Sequence, residues 1–590
     1  MSPNREGLVP KSRRLPRRVA DMKKLINDVS GVVPDMLDGL AALNPGLSLL
    51  QGSTIIVRAD AEAAASRGEV ALISGGGSGH EPAHGGYVGP GMLSAAVAGE
   101  VFTSPSTDAV LDAIRAVAGP TGVLLIVKNY TGDRFNFGLA AEIARAEGIA
   151  VEMVIVADDV ALSAHGEHAG RRGLAGTVFV HKIAGAAAAE GRQLSEVAQI
   201  ARDTAASLGT MGVALTPCTV PAAGKPGFEL ADNEIEWGLG IHGEPGVERG
   251  TLEPAGQIVG RLLAKIIDDL ALKPDDRVAL LVYNLGGTPS SELSIVAGSA
   301  LRYLREHRVQ VERAWSGTFL SALDMAGISL TLLRVDDQRL ARLDAAAQTT
   351  AWPALSGRVA QASVKPAPVA PVTASGARLS RESSLHRVIE AVCACLLEAE
   401  PVLTEMDQRV GDGDLGISMS RAARSILGEI DTYPSESAPG AVLRTMSATI
   451  RRVVGGTSGP LYAVMLLRAA AVIEQSGEIT AKDWSAAFTA AVDGVMALGG
   501  AHPGDRTMVD ALHPAAVALQ AALVKSGGID TDEALKTAVD AATSGAAQTA
   551  SMTPRLGRSS YVGDRALGFA DPGAHAVGLW LAAIRSALNT

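Results

Sequence analysis

The stretch VALISGGGSGH, residues 70–80, joins four apolar residues to a glycine-rich polar segment. Further short apolar runs occur between residues 69 and 334, at 123–127, 151–156 and 278–282, and several end in glycine-rich or polar loops. Alanine-rich stretches with helical spacing separate these runs. Strands that alternate with helices are typical of a parallel sheet whose βα loops carry the site. The pattern predicts an α/β domain of two subdomains, with a break near residues 190–215.

The composition changes after residue 357. Residues 358–382 include an Ala/Pro/Val-rich run, which predicts an extended, semi-rigid linker. The apolar spacing from Leu385 to Leu396 is then that of one helix face, and β-type alternation is scarce up to the C-terminus. We therefore expect an α/β domain over 22–357, the linker over 358–382, and an all-α domain over 383–590.

Composition and charge limit the class of protein. The chain has 590 residues, of which 47% are hydrophobic and 3% aromatic, and its net charge is −11. Acidic residues spread along the chain argue against nucleic acid as a partner. No apolar run approaches the roughly 20 residues that a membrane span needs. We expect a soluble, cytoplasmic enzyme of two to four domains.

The N-terminal segment and the cysteines carry no predicted site. Residues 1–21 are arginine-rich and lack an apolar core, so they predict a disordered extension and not a secretory signal. A transit peptide and a start at Met22 are the alternatives. Cys218, Cys393 and Cys395 show no disulfide pattern, and we expect the last two to be core thiols and not metal ligands.

His242 lies among turn-forming residues in the segment 237–246, WGLGIHGEPG. The segment contains the pattern GxGxxG, but a dinucleotide-binding loop must follow a buried strand and open a helix. Polar residues precede it and Pro245-Gly246 follows, so neither flank fits. The histidine is left on a tight loop, where binding and catalytic residues concentrate. A solvated loop histidine is the alternative.

Three carboxylates, Asp407, Asp412 and Asp414, fall within eight residues. A helix that ends at Val410, with Gly411 as its stop, would place Asp407 beside the other two. Clustered carboxylates repel one another unless a cation neutralises them, and an all-oxygen site suits a hard ion such as Mg²⁺. An EF-hand is excluded, because neither possible register has Glu at position 12. A solvated acidic turn is the alternative.

The segment 455–460, GGTSGP, precedes an apolar helical run that begins at Leu461. Glycines there let backbone N–H groups approach an anion, and the helix start adds its dipole. The chain has neither a Walker A Gly-Lys-Ser/Thr nor a protein-kinase His-Arg-Asp sequence. The loops at 499–508, 557–561 and 571–573 are either plain connectors or the rim of one nucleotide site.

Together these segments resemble the single-chain, ATP-dependent dihydroxyacetone kinases, from about Met22 to the C-terminus. The similar segments are 74–82, 128–133, 240–246, 411–414, 455–460, 507–508 and 557–573. The resemblance implies a substrate domain of two α/β subdomains and a nucleotide domain that is a barrel of antiparallel helices. It also implies a homodimer built through the α/β domains.

The resemblance implies three catalytic roles in the first domain. His242 would attack the substrate ketone and hold it as a hemiaminal, a reversible bond that selects carbonyl compounds over polyols. Asp133 would accept the proton of the hydroxyl that attacks the γ-phosphate, and His80 would hydrogen-bond and polarise the substrate. The implied substrate-binding positions are Gly77, Ser78, Gly79 and Lys128. A structural His80 and a surface ion pair between Lys128 and Asp133 are the alternatives.

In the second domain the resemblance implies that Asp407, Asp412 and Asp414 hold the Mg²⁺ that bridges the ATP phosphates. The implied nucleotide contacts are Gly416, Ser418, Thr457, Ser458, Gly499, Met508, Arg558, Asp571 and Gly573. Core packing is the alternative role for Met508. Leu415 departs from the family pattern, in which a polar residue is frequent, and Phe569 stands at a variable position.

The leading prediction is phosphorylation of dihydroxyacetone to dihydroxyacetone phosphate, with ATP and Mg²⁺ as cofactors. A four-carbon ketose such as erythrulose is the rival substrate, since capture at His242 tolerates any small ketone with adjacent hydroxyls. A lyase that cyclises FAD to release cyclic FMN is an alternative from another class. A non-enzymatic regulator and a phosphotransferase-system route are less favoured, because the nucleotide domain is fused and its Asp triad is intact.

Overall fold

The computed structural model describes residues 23–162, 170–244, 246–354, 357–360, 363–366, 377–527 and 530–589. The predicted N-terminal extension lies outside the described residues, as does part of the predicted linker. The chain forms two compact units, which divide between Val364 and Lys365. Within the described ranges, no helix combines the length and the apolar character of a membrane span.

The first unit contains two six-stranded sheets, and the first has the strand order β1-β2-β4-β3-β5-β6. Its strands are β1 (Leu47–Leu49), β2 (Ile55–Arg58), β3 (Ala71–Ser78), β4 (Ala95–Val101), β5 (Val123–Lys128) and β6 (Val151–Val156). The four strands β4, β3, β5 and β6, which follow one another in this order, are parallel, so the prediction of a parallel sheet is confirmed for this part. Strand β2 pairs antiparallel with both β1 and β4.

Strand β3 extends beyond its apolar residues into the glycine-rich segment. Residues 74–78 were expected to form a loop, but they continue the strand and pair in parallel with β4. Close approach explains the glycines, because a Cβ on Gly77 would lie 2.6 Å from the backbone nitrogen of Thr103. The glycine-rich residues 74–78 therefore form the carboxyl end of β3.

The second sheet has the strand order β11-β10-β12-β7-β8-β9. Its strands are β7 (Leu208–Ala214), β8 (Glu234–Trp237), β9 (Glu248–Thr251), β10 (Arg277–Asn284), β11 (Gln310–Gly317) and β12 (Gly327–Arg334). Among these strands β10 and β11 pair in parallel and the other neighbours are antiparallel, so the prediction of a parallel sheet is wrong here. The connection 318–326 is too short for a helical crossover, so β12 returns antiparallel.

Nine described helices surround these sheets. They are α1 (Val32–Leu43), α2 (Ala61–Ser66), α3 (Thr107–Val117), α4 (Thr131–Ala146), α5 (Gly176–Ala189), α6 (Leu194–Ala205), α7 (Ala255–Asp269), α8 (Ser290–Glu306) and α9 (Asp337–Asp344). Helix α5 is buried along almost its whole length, in an apolar core that includes residues of both sheets. Helices α3 and α4 pack against the first sheet, and α7 and α8 against the second.

The second unit is helical throughout its named elements. They include α10 (Ser384–Glu398), α11 (Glu400–Val410), α12 (Leu415–Glu429), α13 (Pro439–Val453), α14 (Ser458–Ile473), α15 (Ala481–Gly499), α16 (Val509–Lys525), α17 (Thr531–Gln548) and α18 (Pro572–Leu588). Helices α10 and α12–α18 pack one against the next, and α18 returns to α10, which closes a ring. Consecutive helices from α12 to α17 have short connections and run antiparallel, so α12, α14 and α16 begin at the same end. Helix α18 begins at that end too, because a Cβ on Gly573 would lie 3.5 Å from Met508, which precedes α16. The all-α helical barrel is thus confirmed.

The ring encloses an apolar cavity of about 670 Å³. None of the predicted metal or nucleotide residues lines this cavity. Cys393 does line it, and burial raises the pKa of the Cys393 thiol to about 12. Cys393 is therefore a core thiol, as expected, and the three cysteines are free.

Candidate active site

The predicted catalytic residues of the first unit come from both of its sheets. His80 follows β3, Lys128 ends β5 and Asp133 lies in the first turn of α4, whereas His242 lies on the loop between β8 and β9. The rings of His80 and His242 nevertheless meet edge to face, with their centroids 4.7 Å apart. The structure therefore gathers these side chains at one place between the two sheets.

The loop of His242 is a connection between two strands. Strand β8 precedes it, although the polar sequence before the loop had argued against a strand. The polar residues are accommodated because the buried carboxylate of Glu236 accepts hydrogen bonds from Gly246 N and from Arg249 of β9. The loop leads into β9 and not into a helix, so the dinucleotide-binding interpretation remains excluded.

His242 is enclosed by aromatic side chains. Its ring lies edge to face with Tyr130 at 4.6 Å and with Phe102 at 5.2 Å between centroids. Its side chain is 20% exposed, which does not fit a solvated loop histidine. The sequence analysis gave no role to Tyr130 or Phe102, although Tyr130 lies within the motif 128–133. These two rings pack against two sides of the imidazole.

His80 is fully buried and has one free ring nitrogen. Its Nδ1 lies 2.8 Å from the carbonyl oxygen of Ser321, while Nε2 has no hydrogen-bond partner. Burial, with the nearby Lys128 and His242, lowers the pKa of His80 well below its usual range. His80 is therefore neutral, donates from Nδ1 to the carbonyl, and leaves Nε2 as an acceptor. It has a structural bond and also a nitrogen available to a ligand.

Lys128 and Asp133 are both buried, so the alternative of a surface ion pair is wrong. The Lys128 ammonium has no hydrogen-bond partner, and Asp133 accepts a hydrogen bond from the Ser104 hydroxyl. Burial lowers the pKa of Lys128, while Asp133 and Glu244 oppose that shift. Burial of an ammonium group without a hydrogen-bond partner is unfavourable in free energy. A polar ligand that accepted hydrogen bonds from Lys128 would remove this cost.

The substrate-binding positions predicted on β3 are close to the same groups. The hydroxyl of Ser78 donates to the carbonyl oxygen of Gly99 at 2.7 Å, so its oxygen remains free to accept. The backbone of Gly79 donates to Glu81 and accepts from Leu323 at 2.8 Å. These bonds fix the segment 77–80 between the two sheets.

The Asp triad of the second unit converges as predicted. Helix α11 ends at Val410, and Asp407, Asp412 and Asp414 each present an oxygen within 4.8 Å of the others. Such a set of carboxylate oxygens fits a hard divalent cation. The guanidinium of Arg558 forms ion pairs with Asp412 and, at 3.5 Å, with Asp414. The protein thus supplies its own positive charge at this cluster.

The departure at Leu415 leaves the triad intact. The backbone nitrogen of Leu415 donates to Asp407 at 3.1 Å, and its side chain is buried. This contact needs no polar side chain at position 415.

Most of the predicted nucleotide residues lie where helices begin at one end of the ring. They are Gly416 and Ser418 in α12, Thr457 and Ser458 at α14, Met508 before α16, and Asp571 and Gly573 at α18. Helix α14 starts at Ser458, three residues earlier than expected. Gly499 ends α15 and Arg558 lies in the segment before α18. Converging helix N-termini favour an anion, as phosphates require.

Two short distances show that these segments lie close together. A Cβ on Gly456 would lie 3.5 Å from the Arg558 guanidinium and 3.9 Å from Asp414, and one on Gly573 would lie 3.5 Å from Met508 Cβ. Met508 itself packs in the core, as its alternative predicted. Burial raises the pKa of Asp571 to about 6, although Asp571 accepts a hydrogen bond from Ala574 N.

Arg506 is a residue that the sequence analysis missed. It is fully buried, and its guanidinium donates to the carbonyl oxygens of Ala566 and Phe569 at 3.1 and 2.9 Å. It ties the loop 500–508 to the segment that leads into α18. The contact at Phe569 uses its carbonyl, so it does not depend on the side chain there. Its position inside the 499–508 motif was the available signal.

Each of the two units matches a known family domain. The Dak1 domain matches residues 38–351 and the DAK2 domain matches residues 409–586. The Homo sapiens protein named triokinase/FMN cyclase is 45% identical over 584 residues, covering 96% of this chain and 100% of that protein. A Solanum lycopersicum protein named putative 3,4-dihydroxy-2-butanone kinase is 44% identical over 588 residues, covering 96% and 98%.

A solved structure is also similar over nearly the whole chain. It is the dihydroxyacetone kinase from C. freundii in complex with AMP-PNP and Mg²⁺, with a TM-score of 0.62 and 34% identity, covering 96% of this chain and 99% of that one. Both family domains, in the same order and in one polypeptide, account for the two units and their two clusters. The chain belongs to the dihydroxyacetone kinase family.

Proposed function

We propose that this protein phosphorylates a small ketose with ATP and Mg²⁺, and that dihydroxyacetone is its main substrate. One observation carries the proposal: His242, His80, Lys128 and Asp133 meet in a largely buried cluster although two sheets supply them. Support for the cofactors comes from the Asp triad and from the C. freundii relative, whose structure holds AMP-PNP and Mg²⁺.

The first step is capture of the ketone by His242. A triose is too small to bind tightly through surface contact alone, and a reversible covalent bond adds affinity that polyols cannot gain. Nε2 of His80 accepts a hydrogen bond from a substrate hydroxyl, and the unpartnered Lys128 ammonium donates to another oxygen. These contacts orient the ketose within the aromatic enclosure of His242.

The second step is transfer of the γ-phosphoryl group to a substrate hydroxyl. Asp133 accepts the hydroxyl proton as the oxygen–phosphorus bond forms, and ADP leaves. Asp407, Asp412 and Asp414 would hold Mg²⁺, which supplies charge neutralisation for the phosphates. The N-termini of α12 and α14 would bind phosphate oxygens through backbone N–H groups.

A crystal structure of the protein with dihydroxyacetone tests the capture step. We expect electron density continuous from an imidazole nitrogen of His242 to the ketone carbon. Density for an unmodified ketone, separated from His242 by van der Waals distance, would refute the covalent assignment. The variant His242→Ala is expected to lose affinity for the ketose and to retain some phosphoryl transfer, because Asp133 and the metal site remain.

Two further substrates are favoured by the names of relatives. The tomato relative is named for a four-carbon ketone, which supports a four-carbon ketose as a second substrate. The human relative is named triokinase/FMN cyclase, which supports cyclisation of FAD to cyclic FMN at the triad of the second unit. Incubation with FAD and Mn²⁺, followed by chromatography of the flavin products, tests the latter activity.

The family resemblance implies a homodimer, and the composition predicts a cytoplasmic protein. We propose a homodimer formed through the α/β units, in the cytoplasm. Analytical ultracentrifugation tests the dimer, since a monomeric mass at micromolar concentration would contradict it.

A further inference from the structure

Glu244 binds His242 through both of its carboxylate oxygens. Oε1 lies 3.1 Å from Nδ1 of the imidazole, and Oε2 accepts a hydrogen bond from the His242 backbone nitrogen at 2.9 Å. A single carboxylate therefore fixes both the ring and the main chain of the proposed nucleophile. Glu244 belongs to the 240–246 motif, but its sequence context indicates no role.

The surrounding loop is built to admit this carboxylate. A Cβ on Gly240 would overlap Oε2 of Glu244, so glycine leaves the required space. Arg172 anchors the same loop, because it donates to the Gly238 carbonyl oxygen at 2.7 Å and pairs with the buried Asp159 at 2.7 Å. The position of Glu244 is thus determined by the fold and not by a flexible surface contact.

Neighbouring groups stabilise the ionised form of Glu244. Burial alone would raise the pKa of Glu244, but the hydrogen bonds that it accepts from the ring and the backbone of His242 act in the opposite direction, and the pKa lies below its ordinary value. The Lys128 ammonium, the Tyr130 ring and Arg172 also face this carboxylate. Glu244 is therefore an anion at neutral pH.

We propose that Glu244 is a positioning residue that holds the proton of His242 on Nδ1 and serves as the counter-ion of the hemiaminal. The inference rests on the proposed function and deepens it. With Nδ1–H donated to Glu244, the lone pair of Nε2 is free to attack. The Nε2–carbon bond forms, the carbonyl π bond breaks, and the oxygen takes a proton from solvent. The ring then bears substituents on both nitrogens and a positive charge.

That positive charge develops beside the Glu244 carboxylate. The cations Lys128 and Arg172, which also face Glu244, would repel it. A fixed anion at hydrogen-bond distance stabilises the charged adduct more than the neutral starting ring, since the ring charge forms only on addition. Glu244 should consequently shift the addition equilibrium toward the hemiaminal and have little effect on phosphoryl transfer.

The variant Glu244→Gln removes the negative charge in the full-length enzyme and keeps the hydrogen bond to the ring. Its amide oxygen can still accept from Nδ1–H, whereas its amide nitrogen cannot accept from the His242 backbone nitrogen, so that second hydrogen bond is lost together with the charge. Glu248→Gln, on strand β9 of the same hairpin with an exposed ion pair to Arg261, is the matched control. The readout is the protein-bound tetrahedral resonance of dihydroxyacetone labelled at C2, recorded without nucleotide and with the spectrum of the free ketone, its hydrate and its dimer subtracted, because addition converts a ketone carbon into a tetrahedral one.

We expect a tetrahedral signal in the wild type and in Glu248→Gln, and at least a tenfold loss of it in Glu244→Gln. The KM for the ketose should rise by a similar factor, with kcat and the KM for ATP little changed. A wild-type tetrahedral population in Glu244→Gln would overturn the inference, and so would a parallel loss of ATP binding or thermal stability. Absence of the tetrahedral signal in the wild type would instead contradict capture by His242.

Discussion

Asp133 illustrates how burial decides the chemistry of a single carboxylate. It is enclosed in the first unit, accepts a hydrogen bond from Ser104, and has no ion pair with the neighbouring Lys128 within the described contacts. A carboxylate held in this way keeps an oxygen available as a proton acceptor. Asp133 is therefore the proposed base for the attacking hydroxyl.

The variant Asp133→Asn tests this role. The amide can still accept from Ser104, so binding of the ketose should change little, while kcat should fall about 10²–10⁴-fold with loss of the base. Steady-state kinetics with dihydroxyacetone measure both constants. Ser104→Ala is the control, with a smaller expected effect. A kcat for Asp133→Asn within threefold of wild type would contradict the assignment.

Arg558 gives a second prediction at the scale of single residues. Its ion pairs with Asp412 and Asp414 occupy the carboxylates that are proposed to bind metal. Loss of this exposed cation in Arg558→Gln should tighten Mn²⁺ binding without nucleotide about two- to fivefold, as expected for an exposed ion pair of up to 1 kcal/mol. It should weaken ATP binding, because one of the predicted nucleotide contacts is lost.

Titration of Mn²⁺ followed by electron paramagnetic resonance measures the metal affinity. Arg555→Gln, a nearby exposed arginine that pairs with Asp505, should behave as wild type, and Asp412→Asn should abolish binding. Unchanged or weaker Mn²⁺ binding in Arg558→Gln would be inconsistent with competition between the arginine and the metal.

Helix α12 depends on one glycine at its first turn. A Cβ on Gly416 would overlap the Glu400 carbonyl oxygen and the Thr404 hydroxyl of α11, whereas one on Gly428 in the same helix would meet nothing within 4 Å. Gly416→Ala should therefore destabilise the second unit by about 1–3 kcal/mol and reduce ATP affinity. Gly428→Ala should stabilise it by about 0.5–1 kcal/mol, because glycine is a poor helix former.

Thermal unfolding of both variants with and without Mg·ATP measures this contrast. Equal melting temperatures for the two substitutions would mean that α11 and α12 do not pack as described.

The helices and strands show which parts of the fold can be predicted from the sequence and which cannot. The apolar runs at 123–127 and 151–156 form parallel strands, as predicted. The residues with helical spacing from Leu385 to Leu396 lie in α10. The antiparallel pairs of the second sheet were not predictable, because strand direction is set by the connections and not by strand composition. Likewise the strand at 234–237 was missed, since its buried Glu236 is compensated by Arg249 on a neighbouring strand.

At the scale of the whole molecule, the motifs identified the family and its two clusters from sequence alone. The order of the segments and the change of composition near residue 358 anticipated two units, which divide between Val364 and Lys365. Arg506 and Glu244 were not anticipated. Their importance depends on burial and on contacts with particular backbone atoms, which a single sequence does not reveal.

The stability of the first unit should depend on pH through buried histidines. Burial, followed by the effect of Lys128, lowers the pKa of His80 and His84 well below the usual range and that of His181 to about 3. In the unfolded chain these groups take up protons near pH 6.5, whereas the folded chain keeps them neutral. Stability is therefore lost as pH falls below 6.5, by about 2 kcal/mol at pH 5 for His181 alone.

Urea denaturation at pH 7.5 and pH 5 measures this loss. His181→Gln should show a smaller difference between the two pH values than wild type, whereas His307→Gln, at an exposed position, should show the same difference. An identical pH dependence in wild type and His181→Gln would contradict a neutral buried His181.

The most direct test of the central claim is ADP release with Mg·ATP over a panel of dihydroxyacetone, D- and L-erythrulose, glyceraldehyde and glycerol, compared by kcat/KM. Ketone capture at His242 predicts the highest value for dihydroxyacetone, a measurable one for an erythrulose, and none for glycerol. A tenfold preference for an erythrulose, about 1.4 kcal/mol of differential transition-state binding, would keep the mechanism and change the substrate. Absence of turnover with every ketone would contradict the kinase assignment.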